Sequence, residues 1–259
     1  MDPLIYLPSY GSGLGHVSRL SVIASDLKSR GYPVRFSSSG EGARYLQEQG
    51  FECDICPEID VGWADGKPSA MKTLLNLPSM MLSFVKQVRF ETKNMKALKP
   101  KIVVNDSRLS GVIAASNLEI PCITMLNQIR IALPEGKLRK IAGFGEQQGA
   151  ELLGRMWSRS DKILVPDLPR PYTICAKNVW DIDAVANKLD YVGFVVRKKD
   201  FDEDDLSKLK ARFGINGSKR TFFAQISGPD GTRENTIKKV LEASKKADGD
   251  ISGVILAFG

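Results

Sequence analysis

A glycine-rich turn, Tyr10-Gly11-Ser12-Gly13-Leu14-Gly15-His16, stands between a short apolar run, Leu4-Ile5-Tyr6-Leu7, and a segment whose apolar residues fall at Val17, Leu20, Ile23, Ala24 and Leu27. The first run has the length of a buried strand and the second has helical spacing. Lys28, Arg30 and Gly31 give that helix a basic last turn and a glycine stop. Strand, glycine turn and helix in this order leave few folds open. The free N–H groups and the positive dipole end of the helix point into a turn that no Cβ blocks, so an anion or a polar ligand can approach. Gly11, Gly13 and Gly15 are therefore candidate ligand-facing positions. His16 is the only histidine of the chain and falls in the first helical turn, where an imidazole can serve as a general base. The plainer alternative is a ring that only bonds locally at the helix start.

The alternation continues. Val34-Arg35-Phe36-Ser37 reads as a strand, Glu41 to Gln49 as a helix stopped by Gly50, and Glu52 to Ile55 as a third strand. A βαβα order implies a parallel sheet with helices on both faces and a ligand at the carboxyl ends of the strands. Ile102 to Asp106 is a strand ending in an acid, followed by a helix over Leu109 to Asn117. Pro121 to Leu126 is a further strand whose exit carries Asn127 and Gln128. All these exits share one sheet edge with the glycine turn, so Asp106 can orient His16 as a carboxylate beside an imidazole does. The competing role for Asp106 is a helix N-cap.

Val61 to Gly66 reads as a loop and Ala70 to Leu98 as helical material. Within the latter, Leu74, Leu75, Leu77, Met80, Met81, Leu82, Phe84 and Val85 form an apolar surface beside Lys72, Lys86 and Arg89. Such a stripe is usually core, here as a helix broken at Pro78; the alternative is a face that meets a membrane or a lipid-linked substrate. Lys162 to Pro166 and Leu189 to Gly193 complete the strands of a first domain at 1–196, and a charged linker spans 197–211. From 212 to 259 the opening unit repeats: strand Thr221 to Ile226, a second glycine turn Ser227 to Arg233, helix Asn235 to Ala247 and strand Gly253 to Phe258. That stretch is too short for a full doubly wound domain, so the second domain is expected to be incomplete.

Composition narrows the partners. The 259 residues are 42% hydrophobic and 26% charged, as in globular proteins. The net charge of +7 suits an anionic ligand or an acidic membrane surface, but the basic residues are spread among acids, which argues against nucleic acid. No apolar stretch has membrane-span length and Met1-Asp2-Pro3 is no basic signal-peptide start, so the expected location is cytoplasmic, with peripheral contact at the inner face of the membrane left open. Cys53-Asp54-Ile55-Cys56 lacks a second cysteine pair or a nearby histidine and reads as packing, and no cluster suggests a metal. A dinucleotide fingerprint starting at Gly11 would need glycine where His16 stands, and the second strand ends in Ser37-Ser38-Ser39 with no acid for a ribose.

Taken together, Gly11-Ser-Gly-Leu-Gly-His16, Val103-Val-Asn-Asp106, Tyr191-Val-Gly193 and Gln225-Ile-Ser-Gly-Pro-Asp-Gly-Thr-Arg233 resemble the GT-B-fold glycosyltransferases, above all MurG-like (family 28) N-acetylglucosaminyltransferases and archaeal relatives. The resemblance implies an α/β fold of two Rossmann-like domains, with the acceptor on the first and the donor mostly on the second. It implies His16 as base toward the acceptor hydroxyl, Asp106 as its partner, and Gly13, Gly15 and the helix start facing acceptor or diphosphate oxygens. Ser227, Gly228 and Arg233 match the loop near the donor diphosphate. The implied reaction moves a hexose or N-acetylhexosamine from a UDP-sugar to a glycan or glycolipid hydroxyl, with inversion and without a metal or other cofactor. A sugar-nucleotide epimerase of the same fold and a non-catalytic glycan- or nucleotide-binding protein are the alternatives.

Overall fold

The computed structural model describes residues 3–59, 63–64, 67–68, 70–130, 139–197, 202–215, 220–226, 230–246 and 251–258. The chain divides into two compact units, Met1–Ile59 with Met81–Arg197, and Asp60–Met80 with Lys198–Gly259.

The first unit is wound as the sequence pattern requires. Strand β1 (Ile5–Pro8) leads into helix α1 (Leu14–Ser29), β2 (Val34–Ser38) into α2 (Gly40–Glu48), and β3 (Cys53–Ile55) follows. The segment read as a loop, which belongs to the second unit, holds a two-residue antiparallel ribbon, β4 (Trp63–Ala64) with β5 (Lys67–Pro68). Then come α3 (Ala70–Leu98), β6 (Ile102–Asp106), α4 (Leu109–Asn117), β7 (Cys122–Met125), α5 (Arg139–Trp157), β8 (Lys162–Val165), α6 (Ala176–Val179), a short 3₁₀ turn and β9 (Leu189–Tyr191). Seven strands form one parallel sheet in the order β3-β2-β1-β6-β7-β8-β9. The strand order reverses between β1 and β6, the place where doubly wound sheets open a crevice at the carboxyl ends of their strands.

Two apolar clusters hold the helices onto this sheet. Leu7, Val17, Leu20, Phe36 and Leu46 pack on one, and Tyr6, Val103, Val112, Trp157 and Ile163 on the other. The strands are apolar on both faces, as parallel strands covered by helices must be. Helix α5 carries Gly143, Gly145, Gly149 and Gly154. Glycine disfavours a helix, but the burial of Ala150 and Trp157 supplies the tertiary packing that overrides it. Among the described cysteines all four are free thiols, and Cys56, Cys122 and Cys175 are buried.

One expectation changes. Helix α3 continues through Pro78 instead of breaking there, and Leu77, Met81, Leu82 and Val85 on it are exposed, so this part of the stripe is not core. The charged segment read as a linker holds α7 (Glu203–Arg212), because Asp202 caps it by accepting from the Asp205 N–H and three acids occupy its first turn. In the second unit β10 (Arg220–Ile226), α8 (Asp230–Lys246) and β11 (Ile251–Phe258) form a parallel strand–helix–strand repeat, with α8 starting at Asp230, inside the segment read as a glycine turn.

Asp167, just past β8, is buried and accepts from the backbone N–H groups of Leu168, Ile174 and Cys175 and from Thr173 Oγ1. Burial alone would raise its carboxyl, but these donors outweigh burial and hold it at about 2, below its usual 3.8. A depressed acid stabilises the fold above its unfolded value and loses that contribution as pH falls through the folded one. The urea midpoint should therefore drop between pH 3.8 and about 2. Asp167→Asn should flatten that drop and lower the midpoint at neutral pH. An unchanged acid limb in the variant would contradict this assignment.

Candidate functional site

Gly13, with φ of 78°, is the N-cap of α1, and the helix begins at Leu14. A side chain there would be strained. A Cβ built on Gly13 or Gly15 would meet no atom within 4 Å, so this face of the turn is open to a ligand. Gly11 has a packing reason of its own: a Cβ would fall 2.5 Å from Ser39 Oγ and 2.7 Å from Ser39 N, and its carbonyl accepts from Gly42 N–H at 3.0 Å. It locks the first turn against the start of α2.

His16 stands in the first turn of α1 and Asp106 is the last residue of β6, on the strand adjacent to β1. The pairing extends past the strands, since Tyr10 N–H donates to the Asp106 carbonyl at 3.0 Å. This brings the Asp106 carboxylate to 2.9 Å from His16 Nδ1. Asp106 is fully buried, while the His16 side chain keeps 27% of its exposure. In the tautomer that donates Nδ1–H to this carboxylate, Nε2 keeps its lone pair. The N-cap alternative for Asp106 fails: α4 is capped at Arg108, with no side-chain cap bond. Ser107 between them has φ of 52°, a left-handed conformation that costs energy outside glycine and marks this exit as a built turn.

Sequence reasoning assigned no role to Arg19. Its Nε donates to Asp106 Oδ2 at 2.6 Å and its Nη2 to Oδ1 at 2.6 Å, a two-pronged clamp. Nη2 also lies 3.2 Å from His16 Nδ1. The signal was available in the spacing, since residues i and i+3 share a helix face. Tyr10 stands edge-on to the His16 ring at 5.5 Å between centroids.

Beneath the turn lies a second buried network. Glu91 on α3 accepts from Tyr6 Oη at 2.7 Å and Ser37 Oγ at 2.9 Å. Burial pushes its carboxyl up, against the pull of the Arg108 charge and of these donors. Arg108 turns inward, its Nη1 donating to the carbonyls of Ser9 at 2.6 Å and Ser37 at 3.3 Å. Above this floor a cleft of about 210 Å³ opens beside Tyr10.

Asn127 lies two residues past β7 and takes no hydrogen bond from the His16–Asp106 pair. Ser227 and Gly228 lie outside the described residues. Arg233 is on α8, in the second unit. Among the described residues no group of three or more metal-ligating side chains is assembled, and no helix is long and apolar enough to cross a membrane.

The chain is 28% identical over 248 residues to an uncharacterized glycosyltransferase of Methanosarcina acetivorans, covering 89% of this chain and 58% of that protein. It is 29% identical over 254 residues to one of Methanosarcina mazei, covering 92% and 60%. It thus spans about three fifths of the length of these curated relatives. Among solved structures, the spinosyn rhamnosyltransferase SpnG complexed with thymidine diphosphate matches with a TM-score of 0.60 at 14% identity, over 100% of this chain and 65% of that one. Anabaena HepE in complex with UDP-glucose matches at 0.58 and 12%, over 99% and 61%. Acinetobacter baumannii MurG matches at 0.50 and 15%, over 95% and 58%. These likenesses show the fold, which is GT-B. A family model matches residues 5–165, more than half of the chain and the whole stretch from β1 to β8 that builds the His16–Asp106 pair; the chain belongs to glycosyl transferase family 1.

Proposed function

We propose that this chain carries the acceptor side of a glycosyltransferase that draws on a nucleotide sugar. The observation that carries the reading is the buried Asp106 carboxylate, clamped by Arg19 and set 2.9 Å from the Nδ1 of a partly exposed His16 at the β1/β6 crevice. In this reading His16 Nε2 takes the proton of the acceptor hydroxyl. The acceptor oxygen bonds to the anomeric carbon as the bond from that carbon to the diphosphate oxygen breaks, and the diphosphate leaves with the electron pair, which inverts the centre. Gly13 and Gly15, whose Cβ positions meet no atom within 4 Å, leave the start of α1 approachable by charge that develops on oxygen, which supports a reading without a metal.

The finer reading takes a UDP-sugar carrying a hexose or N-acetylhexosamine as donor. Residues 1–196 form the acceptor domain, and 212–259 open the donor domain through Ser227, Gly228 and Arg233. Exposed Leu77, Met81, Leu82 and Val85, beside Lys86 and Arg89, support a glycolipid acceptor and peripheral contact with a membrane. The test is calorimetry of UDP and of thymidine diphosphate with the purified chain, together with nucleotide release from their sugars with and without acceptor. Acceptor-dependent release supports transfer. Release without acceptor supports an epimerase or hydrolase and overturns the proposal, whereas the absence of both binding and release would confine the reading to an acceptor-side domain.

A further inference from the structure

Arg19 is placed against both members of the His16–Asp106 pair. Its guanidinium meets both oxygens of a fully buried carboxylate, Nε to Oδ2 and Nη2 to Oδ1, each at 2.6 Å, and its own side chain is 13% exposed. Charge-assisted bonds of that length hold the carboxylate in one orientation. They also set a positive charge against its negative one. His16 Nδ1 lies 2.9 Å from Oδ1 and 3.2 Å from Nη2, so the ring stands beside a matched pair of opposite charges. Helix α1 builds this arrangement locally, because residues 16 and 19 share one helix face.

A carboxylate alone beside an imidazole favours the ring that carries hydrogen on both nitrogens, and a neighbouring cation disfavours that form. The distinction matters for a base. A ring with both hydrogens has no lone pair and takes no proton from a hydroxyl. Among the described residues, those in hydrogen-bond or ring contact with His16 are Asp106 of β6, Arg19 of α1 and Tyr10 of the turn after β1. Beneath the turn, Glu91 and Arg108 pair with each other at 3.5 Å and so add no unbalanced charge. In the cleft beside Tyr10, lined also by Ser39, Phe84 and Ser107, Glu58 is exposed to solvent, which screens it. The charge felt at the ring is therefore set by Arg19 against Asp106. Resting on the transfer reading above, we propose that Arg19 is a positioning residue: it offsets the charge of Asp106, so that the carboxylate orients His16 without fixing a second hydrogen on its ring, and the imidazole stays available as a base.

His16 is the only histidine, so isotope-labelled histidine in the whole chain gives one set of ring signals in a nuclear magnetic resonance spectrum, and these show which nitrogens carry hydrogen. In the wild type one ring nitrogen should be bare at about pH 8, above the ordinary histidine range. In Arg19→Gln both should carry hydrogen there, and the second should leave only about 1–3 pH units higher than in the wild type. Arg19→Lys keeps the charge and should move that point less than half as far. Because Arg19→Gln strands a buried carboxylate, the same substitution is also made in the Asp106→Asn chain, where the acid is gone. It should again raise the pH at which the ring loses its second hydrogen. In acceptor-dependent transfer, Arg19→Gln should lose about tenfold or more at about pH 7 and recover toward the wild type at about pH 9, a recovery that a merely loosened site does not show. An unchanged ring in either background, a wild type with both hydrogens at about pH 8, or a transfer loss equal at every pH would each overturn the proposal. Failure of the transfer reading looks different: the ring signals would follow the expected order while the wild type releases no nucleotide in response to acceptor.

Discussion

If His16 is the base of the proposed transfer, alanine at position 16 should lower acceptor-dependent transfer by about 10²–10⁴-fold, the contribution of a positioned general base. On the proposed reading the loss falls on the chemical step, because the imidazole removed is the base, with Nδ1 turned to Asp106 and Nε2 assigned to the acceptor hydroxyl. Thermal unfolding should hardly move. His16 is partly exposed and lies outside both apolar clusters, so its removal leaves no cavity of consequence. Nucleoside diphosphate binding should survive as well, since the proposal assigns the histidine to the acceptor. Rates with saturating donor and acceptor, with calorimetry on the same preparation, check both halves. A loss below tenfold would remove His16 as the base.

Alanine at position 106 should cost about 3–5 kcal/mol of stability as well as the activity, because it leaves a largely buried guanidinium without its partner. Asp106 is fully buried and the Arg19 side chain is 13% exposed, so water cannot take over the lost contacts. The companion experiment separates the two roles of the carboxylate. Adding Arg19→Met to Asp106→Ala removes the stranded charge and should restore most of the stability, while transfer stays lost for want of an acceptor at His16 Nδ1. Urea unfolding and transfer rates on the wild type, the single variants and the double variant give the cycle. If the double variant unfolds as readily as Asp106→Ala alone, the clamp is not what makes Asp106 structurally costly.

Much of this site could be read from the residues because parallel-sheet logic is strict. Once Leu4–Leu7 and Ile102–Asp106 are strands of one parallel sheet, their exits lie on one edge, and a histidine after one and an acid ending the other are brought into range. What the pattern could not give was which strands are neighbours. Ser39, Glu58, Phe84 and Ser107 belong to separate turns and a helix, and only the order β3-β2-β1-β6 gathers them. Arg19 sat in plain view at helical spacing from His16, yet a basic residue on a helix normally reads as solvated surface. Helix α5 escaped notice because its glycines oppose helix formation locally while its burial is decided by the sheet it covers. The stripe at Leu77 to Val85 misled in the other direction: helical periodicity says that one face is apolar but not what lies against it.

The central strand pair sets the order in which this site can come into being. β1 pairs with β2 through a short local connection, Ile5 against Val34, whereas its other edge pairs Ile5 with Ile102 and must wait for a long loop to close. The glycine turn can therefore form early, but His16 and Asp106, 90 positions apart, meet only when the two oppositely wound halves of the sheet have joined. A folding intermediate holding only β1, α1, β2 and α2 carries the histidine with its acid partner missing, so pairing of the one imidazole in the chain is a clock for completion of the first unit.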